Sequence, residues 1–218
     1  MRISLAFITG TTAASPLGAS TADRAGGAHE LELLGYERTA HKLYFLEHYR
    51  DASGDLPQLY YMYLRGSQVG RMCPVPGWYE GATIAIGASA DTSFGLSEFW
   101  ARVARLKQHL VPVVERAEHP WRLSTRVAKR RALRLFPDTP PIRKFVLQLR
   151  VRAAADEHAS RTRSIGARLA VTAYLRPRAE LQRVFEVPGE PFDVAIVSYV
   201  GVPYEVGYHK HAAVLLPR

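Results

Sequence analysis

The stretch from residue 41 to residue 66 constrains the fold most, because it contains two β-type runs that are apolar on both faces. Successive residues of a strand point to opposite sides of a sheet. In the first run Leu43 and Phe45 share one side, whereas Tyr44 and Leu46 share the other; the second run, LYYMYL, repeats the pattern. We therefore predict a hairpin in the middle of a sheet, with one face on the core and the other under a second layer, a neighbouring chain or a ligand.

The later part of the chain is also typical of β-structure. In residues 142–153 apolar side chains alternate with basic or polar ones, and residues 167–176 repeat this alternation. The two segments are therefore predicted to pair as strands with one solvent-exposed, basic face. Residues 192–202 are apolar on both faces and belong in mid-sheet. Further strands are predicted over residues 3–8, 30–36, 181–187 and 208–216.

Two helices are predicted to pack on this sheet. The first covers about residues 98–111, with Ser97 as N-cap, Phe99 and Val103 on its buried stripe, and a kink or an end near Leu110 because of Pro112. The second covers about residues 125–136, which are rich in Ala, Arg, Lys and Leu. The expected fold class is therefore α+β, dominated by antiparallel strands.

Composition favours one globular domain. The chain has 218 residues, of which 47% are hydrophobic and 22% charged, enough to bury a core without disulfides; its single cysteine, Cys73, can form none internally. We predict one domain over residues 1–218, with the proline-rich residues 137–141 as the candidate internal boundary. The apolar segment at the start of the chain is shorter than the hydrophobic region of a secretory signal peptide, and no apolar segment is long enough to span a membrane. We therefore expect a cytoplasmic protein without membrane association.

The positive charge of the chain is concentrated in one stretch. Residues 122–183 hold sixteen Lys and Arg against four acids, a net charge of +12, whereas the rest has thirteen against sixteen, a net charge of −3. Such asymmetry indicates an acidic partner, with a merely solvated basic face as the simpler alternative. The candidate ligand-binding residues are five arginines, three on a predicted helical ridge and two on the predicted basic strand: Arg126, Arg130, Arg134, Arg150 and Arg152.

Signals for catalysis are weak in this sequence. His209 and His211 lie two apart on a predicted strand, a spacing that offers two imidazoles to a metal ion, and His29, His41, His48 or Glu47 would have to complete the set. No acidic ligand follows the pair within the chain's last residues, so we predict neither a metal site nor a cofactor. Hydrolase and nucleotide-binding motifs are missing as well.

The charge map and the β-rich pattern together favour a non-enzymatic binding protein for an acidic peptide or protein segment. A sheet edge accepts an extended peptide, and guanidinium groups bind carboxylates. An accessory protein that presents a precursor peptide to tailoring enzymes fits this profile. The alternative is a nucleic-acid-binding module that uses residues 122–183, and the third hypothesis is an enzyme whose site assembles from distant residues. Homo-oligomerisation is left open.

The hairpin offers a second candidate surface. Its tyrosines would bind a partner if the protein's own helices leave them bare, and would be scaffold if the chain covers them. The residues concerned are Tyr44, Tyr60, Tyr61 and Tyr63.

Overall fold

A computed structural model describes residues 29–49, 57–77, 92–153, 166–203 and 207–218, with backbone alone for 92–96. The predicted strand over residues 3–8, the loop that follows it and most of the hairpin turn lie outside these ranges. The described part contains eleven strands and one helix. They are β1 (His29–Glu37), β2 (Lys42–Tyr49), β3 (Gln58–Tyr63), β4 (Met72–Pro74), α1 (Thr92–His109), β5 (Val114–Glu115), β6 (Trp121–Leu133), β7 (Ile142–Ala153), β8 (Gly166–Tyr174), β9 (Ala179–Glu186), β10 (Phe192–Val202) and β11 (Tyr208–Pro217).

The strands form two sheets. The larger has eight strands in the order β4-β3-β2-β1-β11-β10-β9-β5, and the smaller has three in the order β6-β7-β8. The pair β1 and β11 is parallel, whereas the other named pairs are antiparallel. The predicted dominance of antiparallel strands is therefore confirmed.

Both sides of the central hairpin pack against other parts of the chain. Leu43 and Phe45 belong to a core cluster on one face of the eight-stranded sheet. On the other face Leu46 packs with Phe99 and Val103 of α1. Mid-sheet placement follows from the doubly apolar pattern and is confirmed, since β2 has β1 on one side and β3 on the other.

The three-stranded sheet packs on a different part of the same large sheet. Its side chains Phe145, Leu147 and Val151 form one buried cluster with Ala195 of β10 and Val214 of β11. The neighbouring residues of β10 and β11, among them Ile196 and Ala213, point to the opposite face. This alternation explains why β10 reads as apolar on both sides: each of its faces belongs to a different core.

A close approach at Gly35 ties the end of α1 to β1. The amide of Tyr36 donates to the carbonyl of Val111 at 2.9 Å, and Val111 donates back at 2.8 Å. Gly35 has φ of 149°, and a Cβ there would lie 2.8 Å from the Cβ of Leu110. A side chain at position 35 would therefore push the α1 terminus away from the sheet.

The boundaries of α1 differ from the prediction at one end. The helix ends at His109, as expected ahead of Pro112, but it begins at Thr92, so Ser97 lies inside it and is not its N-cap. Thr, Ser and Gly in the first turns are weak helix formers, so the sequence signal begins later than the helix does.

The second predicted helix, over residues 125–136, is wrong. These residues belong mainly to β6, which pairs with β7 from Trp121 opposite Ala153 to Leu133 opposite Ile142. Helix propensity is a weak preference, and the ladder with β7 together with the burial of Trp121 outweighs it. Residues 137–141 lie in the connection between these two paired strands.

Candidate ligand-binding face

The five predicted arginines occupy three different environments. Arg126, Arg150 and Arg152 lie on the side of the three-stranded sheet that faces away from the core. Arg130 lies on the opposite side, where its guanidinium sits 5.3 Å from the centre of the Phe145 ring. Arg134 follows β6 and donates to the carbonyl of Pro137 at 3.1 Å. The arginine ridge expected on a helix does not form.

A β-bulge at Ala128 separates Arg126 from Arg130. Val127 pairs with Leu147 and Lys129 pairs with Val146, so two steps along β6 correspond to one step along β7. Residues opposite each other in a ladder point to the same side, so even-numbered residues before the bulge and odd-numbered residues after it face outwards.

The outward side of β6, β7 and β8 is a basic face, by which we mean eight side chains that the registers place on one surface. No Asp or Glu occurs anywhere in these three strands. The eight are Arg122, Arg126, Lys129, Arg131, Lys144, Arg150, Arg152 and Arg168.

Like charges stand directly opposite each other on the basic face. Three cross-strand pairs do so: Arg122 with Arg152, Arg131 with Lys144, and Arg150 with Arg168. The Cβ atoms of such pairs lie about 4.5–5.5 Å apart, and like charges at that position destabilise a sheet. At the pairs Arg122 with Arg152 and Arg131 with Lys144, an anionic ligand would offset this repulsion.

Two arginines of the stretch 122–183 that lie outside β6, β7 and β8 are paired with carboxylates. Arg183 of β9 makes a bidentate pair with Glu115, at 2.9 Å from Nε and 2.5 Å from Nη2. Arg178 lies 2.8 Å from Glu180. These two arginines of the stretch 122–183 are therefore neutralised outside the three-stranded sheet.

Lys129 and Arg131 of the basic face were missed as candidates because residues 125–136 were assigned to a helix. The sequence does contain a pattern that identifies the start of this segment as a strand. Before the bulge, Trp121, Leu123 and Thr125 alternate with Arg122 and Ser124, which is the period of a strand. Applying that period to residues 121–127, and extending it to β7 and β8, places basic side chains of all three strands on one surface.

The histidines proposed as a metal set have separate partners. The Nδ1 atom of His209 lies 3.0 Å from the hydroxyl of Ser198, and Nδ1 of His211 accepts the amide of Leu31 at 3.2 Å. Of the four further contributors, His29 lies 3.7 Å from the fourth, Glu47, whereas His41 lies 3.0 Å from Glu190 and His48 lies 2.9 Å from Glu32. Within the described residues, no three His, Cys, Asp or Glu side chains are placed to hold a metal ion.

A buried carboxylate, Glu190, joins four separate segments of the chain. It accepts a hydrogen bond from the hydroxyl of Tyr36, lies 3.0 Å from Nδ1 of His41 and 3.5 Å from Nη2 of Arg65. Burial alone would raise the pKa of Glu190, but these bonds and the nearby positive charge outweigh it and leave the pKa below its ordinary value. Burial and the bond to Glu190 in turn raise the pKa of Tyr36 to about 12. Sequence reasoning did not single out this cluster, because its members are distant along the chain.

The tyrosine surface of the hairpin is neither bare nor fully covered. Tyr44, Tyr61 and Tyr63 are half-buried on one face of the hairpin. Tyr60 is also half-buried, but it stands opposite Phe45 and packs against the core on the other face, so the four predicted tyrosines do not share one surface. The ammonium of Lys42 lies 4.8 Å from the Tyr61 ring centre and 5.2 Å from that of Tyr63. These faces are therefore occupied by a cation of the protein itself, and the hairpin does not displace the basic face as the leading candidate.

No protein-family model, curated protein or solved structure matches the chain. Among the helices that the structure describes, none is long and apolar enough to cross a bilayer.

Proposed function

We propose that the protein is a non-enzymatic binding protein for an acidic peptide or protein segment, which docks on the basic face. The observation that carries this proposal is the set of directly opposed like-charge pairs, Arg122 with Arg152 and Arg131 with Lys144, on three strands that contain no Asp or Glu. An acidic segment supplies negative charge at these positions, and arginine binds carboxylates in bidentate fashion. An accessory role, in which the bound segment is a precursor presented to separate enzymes, is one use of such a site.

Nucleic acid is the second candidate ligand, supported by the same density of positive charge. Against it stands the scarcity of stacking platforms: Tyr174, 6.0 Å from the ammonium of Lys144, is the aromatic side chain on this face. Single-strand binders usually combine a basic groove with several aromatic rings. The basic face is better suited to carboxylates at spacings set by a sheet than to stacked bases.

The test compares three ligands with matched variants. Fluorescence anisotropy would measure binding of a labelled glutamate-rich peptide, its glutamine counterpart and a single-stranded oligonucleotide of equal charge. We expect the glutamate peptide to bind, the glutamine peptide not to bind, and Arg126→Glu to weaken binding about tenfold. Arg71→Glu is the control, because Arg71 is exposed next to β4 of the larger sheet, is not part of the basic face, and makes the same change in net charge.

Two results would contradict the proposal. If the oligonucleotide binds more tightly than the peptide, with affinity falling steeply as salt rises, the ligand is nucleic acid. If Arg71→Glu weakens peptide binding as much as Arg126→Glu does, the attraction is to net charge and not to the basic face.

A further inference from the structure

We infer that the acidic segment binds as an added strand along the outer edge of β6, with acidic residues at every second position. This inference rests on the proposed function and specifies its geometry. Within the described residues, β6 pairs with β7 on one side and with no strand on the other. An edge strand presents a row of main-chain N–H and C=O groups, which is the template for strand addition.

The bulge limits where a regular strand can add. Residues 121–127 pair with β7 without interruption, and Ala128 then breaks the register. A partner strand therefore finds its longest regular edge before the bulge, along about seven residues. Across this segment Arg122, Ser124 and Arg126 point to the basic face, and side chains of an added strand on that side would lie about 4.5–5.5 Å from them.

The other side of the same edge is suited to apolar side chains. Val127 is 43% exposed, although Leu147, directly opposite in the ladder, is fully buried. Thr125 is likewise exposed opposite buried Leu149. At Thr125 and Val127 the covering layer of the core thus ends between β7 and β6, although it still covers Trp121, and apolar side chains of an added strand would extend it over Thr125 and Val127.

The ligand class follows from the two sides together. Its residues alternate between Glu or Asp, which face the arginines, and β-branched or apolar residues, which face Thr125 and Val127. The same charges work against self-association. A second copy of β6 would bring its own arginines against Arg122 and Arg126, so the edge selects an acidic strand over a copy of itself.

The first experiment uses two acidic peptides of identical composition. One has glutamate at every second position with valine or threonine between; the other has the same residues reordered, so that the glutamates fall equally on both sides of an extended strand. We expect the alternating peptide to bind the full-length protein at least about tenfold more tightly. Equal affinities would overturn strand addition while leaving acidic-segment binding intact.

The second experiment tests the main-chain bonds directly. In an extended peptide the N–H groups of alternate residues point to opposite sides, so only one alternate set can bond to β6. N-methylating one alternate set of the tight-binding peptide should abolish binding, whereas N-methylating the other set should change affinity by less than about threefold. If both methylated peptides bind like the parent, strand addition is wrong. If neither the alternating nor the reordered peptide binds without methylation, both strand addition and the proposed function are wrong.

Discussion

The packing of the three-stranded sheet on the larger sheet can be tested with one pair of substitutions. Leu147 and Val127 stand directly opposite each other in the β6–β7 ladder and point to the same side. Leu147 is fully buried, whereas Val127 is 43% exposed. Two residues in one ladder position therefore differ in whether the larger sheet covers them, and the basic face depends on that coverage for its support.

The expected loss of unfolding free energy follows from the buried contacts that each substitution removes. Leu147→Ala removes buried methyl groups from a cluster that includes Val197 and Leu216 of the larger sheet, so it should cost about 3 kcal/mol of unfolding free energy. Val127→Ala removes partly solvated surface and some strand propensity, so it should cost less than about 1 kcal/mol. For a chain of this size, 3 kcal/mol corresponds to a fall in Tm of roughly 6–12 °C.

Urea unfolding followed by far-ultraviolet circular dichroism and tryptophan fluorescence measures both variants. Trp121, one of three tryptophans, belongs to the same cluster as Leu147, so part of the emission reports on this core. We expect a lower midpoint with an unchanged slope for Leu147→Ala and a nearly unchanged midpoint for Val127→Ala. If the two losses are equal, or if Leu147→Ala costs less than about 1 kcal/mol, the three-stranded sheet does not pack as described.

Two further predictions concern buried carboxylates. Trp121 Nε1 donates to Asp193 at 3.0 Å, so Trp121→Phe should cost about 2 kcal/mol in urea unfolding, and an unchanged midpoint would show that this bond adds nothing. The lowered pKa of Glu190 means that the folded state binds its proton less tightly than the unfolded state does, so its stabilisation is present above the ordinary carboxyl pKa of 4.5 and is lost as pH falls below it. Glu190→Gln should therefore be less stable at neutral pH and lose less stability on acidification; an unchanged acid dependence would contradict the assigned role.

Much of the strand architecture could be predicted from the sequence. The alternation of apolar and basic residues in residues 142–153 gives β7 with its bounds and its wet face, and the doubly apolar runs give mid-sheet placement for β2 and β10. These predictions succeed because the alternation of side chains along a strand is a local property. The sequence of apolar and polar residues in that alternation shows whether one or both faces of the strand are buried.

The misplaced helix shows where local information ends. Residues 125–133 have helix-forming composition, and only the ladder with β7 and the burial of Trp121 make them a strand. This error also changed which residues were predicted to form the binding site, because helical spacing placed Arg126, Arg130 and Arg134 on one ridge. The structure places Arg126 and Arg130 on opposite faces and Arg134 in a turn.

The sequence by itself determined the charge asymmetry, the predominance of strands and the doubly buried hairpin, because composition and period require no knowledge of distant contacts. Tertiary structure alone decided that eight cations from three strands share one face, that Ala128 is a bulge and that Glu190 meets Tyr36, His41 and Arg65. Strand registers and encounters between distant segments are fixed by the mutual packing of layers, and the free energy of that packing is not a property of any one segment.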